Sequence, residues 1–321
     1  MTGNRIRIGN SEQALRRTHA ADLASRQTAT TILSPEAVAS KVSPAKLLMT
    51  TIDGEARPIT ADDLRRFRAR IAEVGKNVRS GITPREALAL SRPIDIQRAK
   101  AEIRSAVPVL MRGPLLRIAT DSGPNSKVVR HFFEVEFTQF SAAVARPSTS
   151  QQAAAWLLSD SPIRFNCDCQ AHTFWLRYIA SIGGWAHGRQ ETGFPKIRNP
   201  QLTGCACKHG VRALSDLPSL LVRRHVAKAI EQARAALDRP GMPKISTVRA
   251  TQAAADRATA RKTARRIVVP TGQRGATLPP PASTADIRKA MAAYDGRTDA
   301  TSAAIGRALQ ALLAQQGGAR V

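Results

Sequence analysis

From residue 60 onward, apolar side chains recur every three or four positions. Leu64, Phe67, Ile71 and Val74 follow Thr60, with Asp62 and Asp63 between. This spacing predicts a helix over 60–76, with Thr60 as its N-cap and the two aspartates in its first turn. Thr83-Pro84 opens a short second helix with proline at its first position. Pro93 and Pro108 bracket a third, with Ile96, Ala99 and Ile103 on one face. The period then changes. After the turn signal Asp121-Ser-Gly-Pro-Asn125, His131, Phe133, Val135 and Phe137 alternate with Phe132, Glu134, Glu136 and Thr138. That pattern predicts a β-hairpin over 114–140, its second strand buried on one face and Glu134 and Glu136 on the solvent face. Four of the eight phenylalanines (Phe132, Phe133, Phe137 and Phe140) lie here, so the hairpin is the expected seed of the core.

Beyond it, helices are expected at 150–158, 172–183, 207–214 and 217–237, with a short strand at Arg164-Phe165. Gly183-Gly184 stops the second of these helices, and an irregular loop with Gly193, Pro195 and Pro200 follows. A last amphipathic helix is expected at 300–316. The segmentation this suggests is an extended basic arm (1–45), a helical segment plus hairpin (46–150), a ligand-bearing module with flanking helices (151–240), a basic and Pro-rich linker (241–283) and C-terminal helices (284–321).

Composition sharpens the picture in two ways. Aromatic residues make up only 4% of the chain and much of the apolar content is alanine, so burial per residue is modest. The formal net charge is +25. Such a field favours polyanionic partners: nucleic acid, an acidic membrane surface or an acidic protein. Lys244, Arg249, Arg257, Arg261, Lys262, Arg265 and Arg266 form a basic stretch able to lie along phosphates or an acidic neighbour. With no apolar run of about 18 residues, membrane insertion is not expected. The N-terminal MTGNRIRIGN lacks the apolar stretch of a secretory signal.

All four cysteines fall within residues 167–207. Cys167-Asp-Cys169 opens the cluster and Cys207-Lys-His209 closes it. Soft thiolate and imidazole donors concentrated in this way are expected to converge on zinc. A C-x-C pair presents both sulfurs to one side only from a strand end or tight turn, with Asp168 directed outward. A thiolate at a helix start gains from free N–H groups and the dipole. Cys205 and His172 are alternative donors, and an iron–sulfur cluster on four thiolates is the alternative cofactor. A Cys207–His209 nucleophilic pair is disfavoured because the cysteines compete for metal. Trp175, Tyr178 and Trp185, with Arg177 and Arg189, either stack bases or pack as core; the helical spacing favours core. His187, in a Gly-rich loop, is read as solvated.

The four ligand positions, with the run Asn199-Pro200-x-Leu202 ahead of Cys207-Lys208-His209, resemble the SWIM-type zinc finger, CxC…CxH. They are similar to SWIM-like segments of tailed-bacteriophage virion proteins over about residues 162–214. The insert of 37 residues between Cys169 and Cys207 is longer than the usual SWIM spacing. The resemblance implies Zn2+ held by Cys167, Cys169, Cys207 and His209, and a non-enzymatic structural or assembly subunit of a baseplate, neck or head. It would be assembled in the host cytoplasm into the virion, among other virion subunits and packaged DNA. The alternative is a SWIM-type zinc-dependent nucleic-acid-binding protein. The expected fold class is α+β, mainly helical, with one β-hairpin next to a small zinc-stapled module and extended basic N- and C-terminal arms.

Overall fold

A computed structural model describes residues 49–77, 81–124, 126, 128–237, 245–260 and 265–270, together with the helical positions 13, 16, 17, 20 and 21. The rest of the N-terminal arm and the C-terminal helices of 284–321 lie outside the described residues.

Two short strands, β1 (Met49–Thr50) and β2 (Arg57–Pro58), pair with each other and lead into helix α1 (Ala61–Asn77). Thr60 caps this helix as its sequence predicts. Its hydroxyl accepts from the Asp63 backbone N–H, and the Asp63 carboxylate returns to the Thr60 N–H. Helix α2 (Pro84–Ala89) carries the same reciprocal box between Thr83 and Glu86. Helix α3 (Pro93–Glu102) follows.

The hairpin is present as β4 (Leu115–Asp121) and β5 (Arg130–Phe137), but it does not stand alone. It forms the middle of a five-stranded antiparallel sheet in the order β6-β5-β4-β3-β7. The other strands are β3 (Ala106–Arg112), β6 (Ile163–Cys167) and β7 (Thr247–Arg249). The expectation of a single hairpin is corrected at β3. Pro108 reads as a helix boundary, yet it sits inside a strand at a register shift between Pro108 and Leu110. A bulge is where a sheet tolerates a residue without an N–H. The shift also reverses the faces of β3: Val107 and Val109 belong to one core, Met111 to the other.

Between β5 and β6 lie α4 (Phe140–Ala145) and α5 (Ser150–Ser159). A π-helical turn (His172–Leu176) and α6 (Arg177–Ile182) follow β6; then come α7 (Lys208–Asp216) and α8 (Leu220–Leu237), and finally α9 (Gln252–Thr259) after β7. Within the stretch read as a linker from sequence, β7 and α9 are therefore regular elements.

Both faces of the sheet are covered. On one, Met111, Leu116, Ile118, Phe133, Val135 and Phe137 join the main core with residues of α5, α7 and α8. On the other, Val107, Val109, Ala119 and Phe132 pack with Ala255 of α9. The reading of Glu134 as solvent-facing is corrected. Glu134 is 4% exposed and pairs at 3.0 Å with Arg117, its register partner on β4. A carboxylate taken out of water needs such a partner.

Other arginines also work inside the fold. Arg212 is buried and donates to the carbonyls of Ala99, Ile103 and Arg265, which satisfies the C-terminal end of α3. Arg234 donates to four carbonyls between Ala143 and Ser148.

Candidate metal centre

Strand β6 ends at Cys167, whose register partner is Phe133, so its side chain enters the main core. The chain turns immediately. Asp168 donates its N–H to the Phe132 carbonyl at 3.2 Å, and Cys169 starts the helical segment that contains the π-turn. The Cys169 sulfur accepts the His172 N–H at 3.4 Å. A π-turn interrupts the usual ladder at a point where side chains must be re-aimed, often near a functional centre.

Helix α6 stops at Gly183-Gly184, with Gly184 at φ +80°. A Cβ on Gly183 would run into the Trp185 ring, which folds back over the helix end. Residues 185–187 then run beside β6: Phe165 donates to the Trp185 carbonyl and His187 to the Phe165 carbonyl. The chain makes an exposed bend at Gly188, whose φ is +74°. His187, read from sequence as solvated, lies 3.1 Å from the Glu136 carboxylate through Nδ1.

The return path is fixed by Asn199, which is 4% exposed. Its amide donates to the carbonyls of Trp175 and Thr203, and its oxygen accepts the Thr203 N–H. These bonds hold Leu202, buried, at φ +50°. Only a well-determined loop keeps a branched side chain in that region. The Asn-Pro-x-Leu run is thus the brace that delivers Cys207.

Cys207 is the N-cap of α7 and accepts the Gly210 N–H at 3.4 Å; His209 sits in the first turn. Helix α7 lies tight on the sheet, since a Cβ at Gly210 would come within 2.9 Å of the Phe133 ring. Two helix starts therefore point N–H groups at two sulfurs, a contribution towards thiolate. The Cys169 thiol as a whole is nonetheless raised well above its ordinary value, with the Cys207 sulfur and burial pushing it up.

Cys167, Cys169, Cys207 and His209 converge: their ligand atoms all lie within 4.8 Å of one another, and all four residues are buried. Tetrahedral zinc with bonds of about 2.3 Å to sulfur spaces its ligand atoms at roughly 3.7 Å, so the group needs only a small contraction. The donor chemistry agrees. Both ring nitrogens of His209 are buried without a hydrogen-bond partner among the described residues. Burial pushes its pKa down, towards the neutral form that binds metal. Burial, with the Cys169 and Cys207 sulfurs alongside, pushes the Cys167 thiol up. Cys207 is held well down, chiefly by donation from Cys167 and Cys169. This pocket by itself favours one thiolate among the three sulfurs; a second and third call for a cation. The four residues fit a metal ion.

The alternative donors lie outside the group. Cys205 is buried, and burial pushes its thiol pKa up. His172 is buried with its ring 6.1 Å from that of Phe165. In the basic stretch, Arg249 is on β7, Arg257 on α9, and Arg265 and Arg266 follow; all four are exposed. Lys244, Arg261 and Lys262 lie outside the described residues. The aromatic set is core: Tyr178 and Trp185 are buried, the Arg92 guanidinium covers Trp175 at 5.1 Å, and Arg177 is buried and donates to Asn166.

A cleft of about 950 Å³ opens beside the centre and reaches Cys169 and His209. Arg98 and Lys208 on its wall both bond the Glu102 carboxylate, whose pKa they lower to about 2. The wall also carries a pair that sequence reasoning missed. His131 Nδ1 lies 2.8 Å from an Asp168 carboxylate oxygen, and the His131 ring lies 4.2 Å from that of His209. The only signal was the placement of a carboxylate between the two ligand cysteines, and it was read as outward-facing. Among the described residues, no helix is long and apolar enough to cross a membrane. Compared with protein families, curated proteins and solved structures, the chain matches none.

Proposed function

We propose that Cys167, Cys169, Cys207 and His209 hold one zinc ion as a closed structural centre in a non-enzymatic structural or assembly subunit. The observation that carries this reading is the convergence of four buried protein donors within 4.8 Å. Four protein ligands complete the tetrahedral preference of zinc, which is the pattern of sites that fold rather than react. When bound, the ion supplies a cross-link whose apparent free energy is on the order of 10–16 kcal/mol in small zinc domains. Cys167 and Cys169 anchor that cross-link at the end of β6, while Cys207 and His209 anchor it at the start of α7.

Placement in a tailed-phage particle, at a baseplate, neck or head, follows from the resemblance of residues 162–214 to SWIM-like virion segments. The net charge of +25 and the exposed Arg249, Arg257, Arg265 and Arg266 support acidic neighbours or packaged DNA as partners. The same arginines favour a second reading, a nucleic-acid-binding protein.

Metal analysis of the purified chain tests the centre. About one zinc per chain is expected, lost in Cys167→Ser and kept in Cys205→Ser; equal loss in both variants would overturn the ligand assignment. Salt titration separates the two partner readings. An assembly subunit sediments with particles and binds duplex DNA weakly. A DNA-binding protein shows an affinity that falls steeply with salt.

A further inference from the structure

We infer that His131, held by Asp168, is the residue that positions the His209 ring for metal binding. This rests on the proposed metal centre. A ligating histidine ordinarily donates its second ring nitrogen to a carboxylate or carbonyl, which fixes its orientation. Among the described residues His209 has no such acceptor: both of its ring nitrogens are buried without a hydrogen-bond partner there. One nitrogen suffices for the ion, so the ring must be oriented by packing instead. The group stacked on it is His131, with ring centroids 4.2 Å apart and planes inclined by 45°.

His131 is in turn fixed from two sides. Its backbone lies in β5, paired with Thr120 of β4, and its Nδ1 lies 2.8 Å from Asp168 Oδ1. The two side chains are only 13% and 4% exposed, so this pair is not a solvent-screened surface contact. Asp168 stands between Cys167 and Cys169, and its N–H bonds the Phe132 carbonyl next to His131. The Cys-Asp-Cys segment therefore supplies two ligands directly and orients a third through His131. His131 and Asp168 also line the cleft that reaches Cys169 and His209.

The test is Co2+ titration of the full chain, read by the visible ligand-field and thiolate charge-transfer bands and by the rate of metal loss to a chelator. His131→Ala and Asp168→Ala are expected to weaken Co2+ binding about 10- to 100-fold, to shift the ligand-field bands and to speed release. His131→Phe keeps a ring against His209 and should recover most of the affinity. Asp168→Asn keeps an acceptor for the Nδ1 proton and should stay close to wild type. In the His131→Ala background, Asp168→Ala should add nothing. Wild-type affinity and superimposable bands in Asp168→Ala, together with no difference between His131→Phe and His131→Ala, would overturn the positioning role. A wild-type chain that takes up no Co2+ would instead overturn the metal centre itself, and this role with it. Circular dichroism identifies any variant that fails to fold, and the remaining variants then decide.

Discussion

The sheet and the loop that carries the second ligand pair are held in opposite ways. In β3–β6 the backbone satisfies itself through ladder bonds, and Met111, Leu116, Ile118, Phe133 and Phe165 are fully enclosed by apolar neighbours. Residues 183–207 have almost no regular structure, yet they bury Trp185, Lys196, Asn199, Leu202, Cys205 and Cys207. Their backbone is satisfied piecemeal. Thr50 donates to the Lys196 carbonyl, Ser181 accepts the Glu191 N–H, and the Asn199 side chain accepts the Thr203 N–H. An apolar sheet is stable through area removed from water, whereas an irregular buried loop depends on each polar bond and on any cross-link at its end.

The largest expected effect follows from that contrast. Chelation, or Cys207→Ser, should collapse amide protection in 185–207 by several orders of magnitude, given the roughly 10–16 kcal/mol apparent in small zinc domains. Protection in β4 and β5 should remain. Hydrogen exchange measures both regions at once, and a uniform loss would erase the distinction between them.

A smaller effect concerns the β7 edge of the sheet, on the same face as the ligands but at the opposite end of the strand order. His225 on α8 is buried, and burial lowers its pKa to about 4. The unfolded chain takes up this proton near pH 6.5, well before the folded one does. The contribution is therefore complete above pH 6.5 and lost as pH falls towards 4, amounting to about 3 kcal/mol at most. Denaturant titrations across that window, on wild type and His225→Gln, isolate this component from ligand protonation common to both. Identical slopes would remove His225 from the account.

The smallest expected change is at the brace. Asn199→Ala should cost about 1–3 kcal/mol through its stranded partners, with increased exchange confined to the loop. A loss spread over the sheet would mean the two regions are not separately supported.

How much of this the sequence revealed depended on range. Thr60 ahead of Asp62 and Asp63, and Thr83 ahead of Pro84, are signals confined to a few residues, and both helices begin where they predict. The convergence of Cys167, Cys169, Cys207 and His209 was legible because thiol and imidazole donors at short spacing have few other uses. The sheet was half legible. Its hairpin is local, but β7 pairs with β3 across more than 130 residues, and Pro108 disguises β3 as a helix boundary. Glu134 was misread because alternation shows which residues share a face, not whether that face is buried. Net charge does not separate the roles of individual arginines. An arginine aimed at carbonyls, like Arg212 or Arg234, contributes to the net charge as one facing phosphate does. His131 was invisible beforehand, since its partners Asp168 and His209 lie 37 and 78 positions away.

The bend at Gly188 offers a practical handle. Residues 188–190 are exposed, and a side-chain carbon built on Gly188 meets no atom within 4 Å. A short epitope or dye-bearing peptide spliced there would sit in open solvent, between the two halves of the ligand set and touching neither. It would let the chain be followed through purification and binding experiments.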